Sequence, residues 1–211
     1  MTEHVKPGDI EARSFEIIAE ELADRGIVLD KEKDLIIRRA IHTSADFDYA
    51  HTLIFSEDAV QKARELIRAG ADIVTDTNMA LTGINKKRLA SFGGEARCYM
   101  ADPDVAAEAK ERDITRASVS MEHAAKDAME SGRRTIFAIG NAPTALITLR
   151  EMYDSGIYTP DFVIGVPVGF VNVVEAKELI METDIPHIIN RGRKGGSNVA
   201  AAIVNALLYT M

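Results

Sequence analysis

Two rhythms of apolar and polar positions run along this chain. In the front third the period is helical. Phe15, Ile18, Ala19 and Leu22 form the stripe of a helix over residues 11–24, and a second helix, capped by Asp30, carries Leu35, Ile36, Ile37, Ala40 and Ile41 up to His42. Residues 57–69 make a third. From residue 71 onward short β-branched runs recur, at 71–75, 96–100, 135–139, 161–166 and 187–189, and these read as five strands. The segments 103–131, 143–155 and 172–181 between them are long enough for crossover helices. The pattern therefore predicts an α/β fold, a mostly parallel sheet of about five strands with helices on both faces and a helical N-terminal region. Pro143 suits a first helical position, and Asn172 with Glu175 reads as a capping box. No fixed-period repeat, low-complexity tract or proline-rich linker breaks residues 1–211, which read as a single α/β domain.

Composition narrows the classes of function. Of 211 residues, 46% are hydrophobic, enough for a substantial core. A net charge of -8 argues against sequence-independent nucleic-acid binding, which needs a basic face to displace counterions. The single Cys98 excludes an intramolecular disulfide framework and a multi-cysteine metal site, and suits a reducing cytoplasm. Residues 1–9 are polar, and no uninterrupted apolar stretch reaches the length of a membrane span. The expectation is a soluble cytoplasmic protein with neither nucleic acid nor membrane as partner.

Candidate chemistry concentrates in a few places. Arg39 and His42, three residues apart on a helix, project from nearly one face. That pairs a permanent cation with a group that exchanges protons near neutrality, a working arrangement for acid catalysis on a carboxylate-rich substrate. Ligands of open parallel sheets collect outside the carboxyl ends of the strands, where this chain has polar or glycine-bearing turns after 75, 140, 167 and 190. The last turn carries Arg191, Arg193 and Lys194 and leads into a small-residue helix whose first amides can receive an anion, or whose glycines simply allow close packing. Neither a dinucleotide glycine fingerprint nor a phosphate-loop Gly-Lys-Ser/Thr follows a strand, which disfavours a nucleotide-binding enzyme. His42, Asp46, Asp48 and His51 fall within ten positions and raise a metal-dependent hydrolase as an alternative, although a continuous helix would aim Asp48 and His51 elsewhere.

Taken together, Arg13-Ser14-Phe15, Arg39-x-x-His42, Thr75-Asp76-x-x-Met79, Thr115-Arg116, Gly140-Asn141-Ala142-Pro143-Thr144-Ala145-Leu146, Pro167-Val168-Gly169-Phe170-Val171 and Arg191-Gly192-Arg193-x-Gly195-Gly196-Ser197 resemble the precorrin-8X methylmutase family. The likeness runs from about residue 10 to residue 207. It implies an isomerase of vitamin B12 synthesis, which moves a methyl group from carbon 11 to carbon 12 of precorrin-8X or cobalt-precorrin-8 and gives hydrogenobyrinate or cobyrinate. It also implies a doubly wound fold and a homodimer whose subunits share the pocket. Hand-over of ligand to neighbouring pathway enzymes fits the same picture. By that resemblance His42 matches the catalytic histidine, Ser14 and Arg39 match substrate-binding positions, and Arg116 looks like a further ligand-site arginine. Asp76, Arg191 and Arg193 are placed on the substrate side with them. Asp46-Phe47-Asp48 departs from any motif of the family.

A corrinoid precursor bears acetate and propionate groups, so local cations must work against an acidic chain. Arg39, Arg116, Arg191, Arg193 and Lys194 are the candidates, with helix amides after Gly140 and Gly196, and Phe15, Met79, Pro167, Val168 and Phe170 are candidate walls for the flat ring. A suprafacial 1,5 methyl shift needs no cofactor and no external nucleophile. Protonation of the conjugated ring draws it forward. A non-catalytic corrinoid carrier would use the same cations and stays open at this point.

Overall fold

The computed structural model describes residues 6–211. One sheet contains β1 (Leu53–Phe55), β2 (Asp72–Thr75), β3 (Ala96–Arg97), β4 (Thr135–Ile139), β5 (Phe162–Gly165) and β6 (His187–Asn190). Their spatial order is β1-β6-β5-β4-β2-β3; β1 runs antiparallel to β6 and the other neighbours are parallel. The expected five strands become six. The added β1 is three residues long, too short for an alternating pattern, and exists by pairing Leu53, Ile54 and Phe55 with Asn190, Ile189 and Ile188 on the edge of β6. The strand expected over 96–100 keeps only Ala96 and Arg97 in the ladder.

The helices are α1 (Ile10–Asp24), α2 (Asp34–Ser44), α3 (Tyr49–Thr52), α4 (Ala59–Arg68), α5 (Asn78–Gly83), α6 (Lys86–Ala90), α7 (Pro103–Glu111), α8 (Arg116–Ser131), α9 (Pro143–Asp154), α10 (Val173–Met181) and α11 (Ser197–Tyr209). Alternation along β4 explains the layering. Ile136 and Ala138 pack into one core with α2, α4 and α11, while Phe137 and Ile139 pack into the other with α8, α9 and α10. This is the doubly wound arrangement, with α1 laid over α2 as the helical N-terminal part.

Local signals held in some places and failed in others. Pro143 opens α9 as expected. Asp30 does not cap α2, which begins at Asp34; its carboxylate accepts from Glu32 N at 2.9 Å and shapes the preceding turn. The segment expected as one crossover over 103–131 divides into α7 and α8, because Thr115 caps a new helix through Ser118 N at 3.1 Å. The capping box at Asn172 does not form. Its backbone is left-handed, φ 57°, whereas a side-chain cap requires extended geometry, and its side chain makes no cap bond.

Within the parallel block the order is second, first, third, fourth, fifth, so the winding reverses between β2 and β4. In folds of this kind the crevice at that reversal is the usual ligand site.

Candidate active site

The crevice at the reversal is closed by the chain itself. Asp76, which follows β2, is fully buried, and its carboxylate accepts from the amides of Gly140, Asn141 and Ala142 at 2.9, 2.7 and 2.6 Å. These are the amides that would have received a ligand anion at the start of α9. Burial pushes the Asp76 carboxyl up against the downward pull of the three amides. Gly140 adds a second seal: a Cβ there would lie 2.6 Å from the Cα of Ser197, so the turn after β4 packs directly against the first residue of α11. Asp76 is thus placed as a stitch between two turns, and the amides after Gly140 are already taken.

The open space lies beside this seal, on the α2 and α11 face. A cleft of about 740 Å³ is bounded by Arg39, His42 and Thr43 from α2, by Asn78, Met79, Thr82 and Gly83 from α5, and by Asn198, Ala201, Ala202, Asn205 and Tyr209 from α11. Local sequence explains its shape. Thr77 caps α5 by accepting from Ala80 N at 3.1 Å and meets Ser197 Oγ at 2.8 Å, so α5 and α11 start together. Gly83 abuts Ala201 closely enough that a Cβ would lie 2.8 Å from it, and small residues there keep the wall low. Met79 is 70% exposed within this cleft and supplies apolar surface.

His42 is exposed at the last turn of α2. The Phe15 ring lies 5.3 Å from the imidazole, tilted by 31°. The Arg39 guanidinium sits 4.8 Å over Phe15 and 5.4 Å over Tyr209, and pairs with Glu11. Its Nε is buried without a hydrogen-bond partner among the described residues. A second cleft of about 490 Å³, lined in part by Ser14, Ile17, Arg25 and Phe47, also reaches His42. Ser14 Oγ donates to the Ile10 carbonyl at 2.9 Å, within its own helix. His42 therefore stands on a ridge between two openings, with Arg39 on one side and Ser14 on the other.

The remaining expected residues are not brought together with His42 in one chain. Arg116 opens α8 on the other helical layer, is exposed and forms no ion pair among the described residues. Arg191 pairs with Glu178 of α10 at 3.0 Å. Arg193 lies 5.4 Å from the ring of Phe170, itself 81% exposed, and neither Pro167, Val168 nor Phe170 lines the cleft. The metal reading of His42, Asp46, Asp48 and His51 is not favoured. α2 ends at Ser44, Ala45 takes a left-handed backbone, and Asp46 and Asp48 turn onto Lys194 Nζ at 2.5 and 2.6 Å. Lys194 holds the Asp46 carboxyl below the usual carboxylate range. No group of three or more His, Cys, Asp or Glu side chains converges for a metal among the described residues.

Sequence reasoning missed Asn78, Asn198, Tyr209 and Glu11. One signal was available: Asn198, Ala202, Asn205 and Tyr209 recur at helical spacing and mark the open face of an otherwise apolar α11. Asn205 does not face a ligand freely. Its amide donates to Gly83 O and accepts from Asn85 N, at 2.8 and 2.9 Å, tying α11 to the α5–α6 turn.

Comparison with known proteins finds relatives over nearly the whole chain. The family model described as Precorrin-8X methylmutase matches residues 9–210. The cobalt-precorrin-8 methylmutase of Priestia megaterium is 45% identical over 203 residues, covering 96% of this chain and 88% of that protein. That of Salmonella typhimurium is 45% identical over 213 residues, covering 97% and 95%. The solved structure of precorrin-8x methyl mutase from Thermus thermophilus superposes with a TM-score of 0.83 at 39% identity, covering 95% of this chain and 96% of that one.

Proposed function

The chain belongs to the precorrin-8X methylmutase family, an isomerase of cobalamin biosynthesis acting on a corrinoid precorrin, and on that premise we propose that His42 is its proton donor and acceptor and that the α2–α5–α11 cleft seats the macrocycle. The observation that carries this reading is the position of His42: exposed, at the rim of a 740 Å³ cleft, one helical turn from a guanidinium held between two rings. Met79, Ala201 and Ala202 offer apolar wall to a flat ring, while Arg39, Asn78 and Asn198 offer donors to its carboxylates. Glu11 holds the place a substrate carboxylate would take on Arg39. Being exposed, it is displaced at small cost.

The step is an isomerisation. The methyl group migrates suprafacially from carbon 11 to carbon 12 as His42 lends a proton to the conjugated ring and then recovers it, so no atom is gained or lost. A positioned general acid is worth roughly 100- to 10,000-fold in rate. In His42→Ala, conversion of the precorrin is expected to fall by that factor while the coloured ligand still binds. Retained conversion would contradict the assignment, whereas bound colour with no turnover in the unaltered chain would favour the carrier reading.

Ser14, at the mouth of the second opening, is read as a polar contact for the rim of the ring. Arg116, Arg191 and Arg193 stand off the cleft within one chain, so a substrate-holding role for them requires a second copy, consistent with a homodimer that shares its pocket. Sedimentation at micromolar concentration checks that. Among the described residues no helix is long and apolar enough to cross a membrane, and the unpaired Cys98 fits a cytoplasmic setting with hand-over to neighbouring enzymes.

A further inference from the structure

Lys177 of α10 is 0% exposed, and among the described residues its ammonium meets no carboxylate. It donates instead to two backbone carbonyls, Gly192 O at 2.6 Å and Lys194 O at 2.9 Å. Burial alone holds this ammonium down, to a pKa of about 8. Burying a cation without a counter-ion costs stability, and an apolar side chain of similar length would fill the space without that cost while giving up the two carbonyl bonds.

What Lys177 grips is the segment 190–198, which is fixed from other directions too. Asn190 Nδ2 donates to the same Lys194 carbonyl at 2.8 Å, and Gly196 N donates to Val166 O at 2.9 Å. Gly195, at φ 158°, lies so close that a Cβ would fall 2.0 Å from Val166 O. From this braced segment two side chains reach the end of α2. Lys194 holds Asp46 and Asp48, and Asn198 Nδ2 approaches Thr43 O at 3.4 Å. Thr43 is the residue next to His42, and Asp46 lies one short turn beyond.

We propose that Lys177 is a positioning residue for the methyl shift: by fixing the carbonyls of Gly192 and Lys194 it sets Lys194 and Asn198, and through them the end of α2 from which His42 projects. This rests on His42 as the proton donor. It predicts that removing the buried charge separates stability from turnover. A misplacement of about 1 Å at a reacting group can cost about 100-fold in rate.

The test uses the full chain with the corrinoid precursor as substrate. Lys177→Met is expected to leave the thermal midpoint nearly unchanged, relief of the buried charge offsetting the two carbonyl bonds lost, yet to lose about 10-fold or more in kcat, with KM moving less because Arg39, Asn78 and Met79 of the cleft keep their places. Amide exchange at Asp48 and Gly196 should quicken in the same variant. Lys194→Met, on the surface, should reproduce the kcat loss, and the double variant should lose no more than the larger single one. Wild-type kcat in Lys177→Met, or losses that multiply in the double variant, would overturn the proposal. Should Lys177→Met fail to fold, Lys194→Met decides: a lowered kcat with faster exchange at Asp48 supports the relay, and a normal kcat refutes it. His42→Ala, assayed alongside, keeps the two readings apart. If it alone is inactive, the positioning role fails and the proton donor stands; if it remains active, the proton donor fails.

Discussion

Two places in this molecule can in principle hold a ligand, and they have opposite fates. The crevice between β2 and β4, where the winding reverses, has amides at a helix start and small turns, yet Asp76 occupies the amides and Gly140 packs onto Ser197. The cleft between α2, α5 and α11 is built from side chains on helices, and it stays open because α11 and α5 present Gly83, Ala201 and Ala202 where they meet. Sealing the first fixes the second. The same turns that Asp76 stitches lead into α5 and abut α11, so an internal carboxylate spent on structure gives the neighbouring cleft a rigid floor.

The contrast can be broken from either side. The largest effect on stability should come from the sealed crevice. Asp76→Ala removes three amide bonds to a buried carboxylate, each worth about 1–3 kcal/mol, and urea unfolding should register a loss of roughly 3 kcal/mol or more. An unchanged midpoint would mean that the stitch is not structural. On the open side, Arg39→Met should leave the unfolding midpoint nearly alone but lower kcat/KM by roughly 10- to 100-fold, mostly through KM, as expected for loss of a charge-assisted bond to a substrate carboxylate.

A third test compares cations instead of cavities. The folded Lys177 titrates near 8, below its ordinary 10.5, so above pH 8 the unfolded chain binds more protons and stability should rise with pH until about 10.5. The limiting slope is about 1.4 kcal/mol per pH unit, and Lys177→Met should remove this contribution from the urea midpoints measured between pH 8 and 10. The smallest effect belongs to Glu11. If it only keeps the place of a substrate carboxylate on Arg39, Glu11→Gln should lower KM about 2- to 3-fold, since an exposed ion pair is worth at most ~1 kcal/mol. A raised KM would assign Glu11 to substrate holding instead.

Much of the fold was legible because its signals are periodic. The stripe Phe15, Ile18, Leu22 and the β-branched runs at 135–139 and 161–166 each report burial on one or both faces of an element, and those elements formed. β1 was not legible, because three residues carry no period and its pairing partner lies more than 130 positions away. The Asn172 capping box failed because residue identity does not encode the left-handed backbone adopted there. That Arg39 and His42 would share one face of α2 was readable from helical spacing. Asp76 was read toward ligand because its turn lies at a strand end, and only the three amide bonds reveal that its charge is consumed. Lys177 carries no signal in the sequence, since nothing in the local pattern says that residues 192 and 194 fold over it.

The central claim is that the imidazole at position 42 meets the macrocycle, and its own resonance reports this most directly. With histidine labelled at the ring carbons, the five signals can be assigned by substitution and followed as the corrinoid product is titrated to saturation. The expected result is a large displacement of the His42 signal at the stoichiometry at which the bound colour saturates, with His123 and His187 unmoved. Full binding of the coloured ligand with the His42 signal unchanged would contradict it.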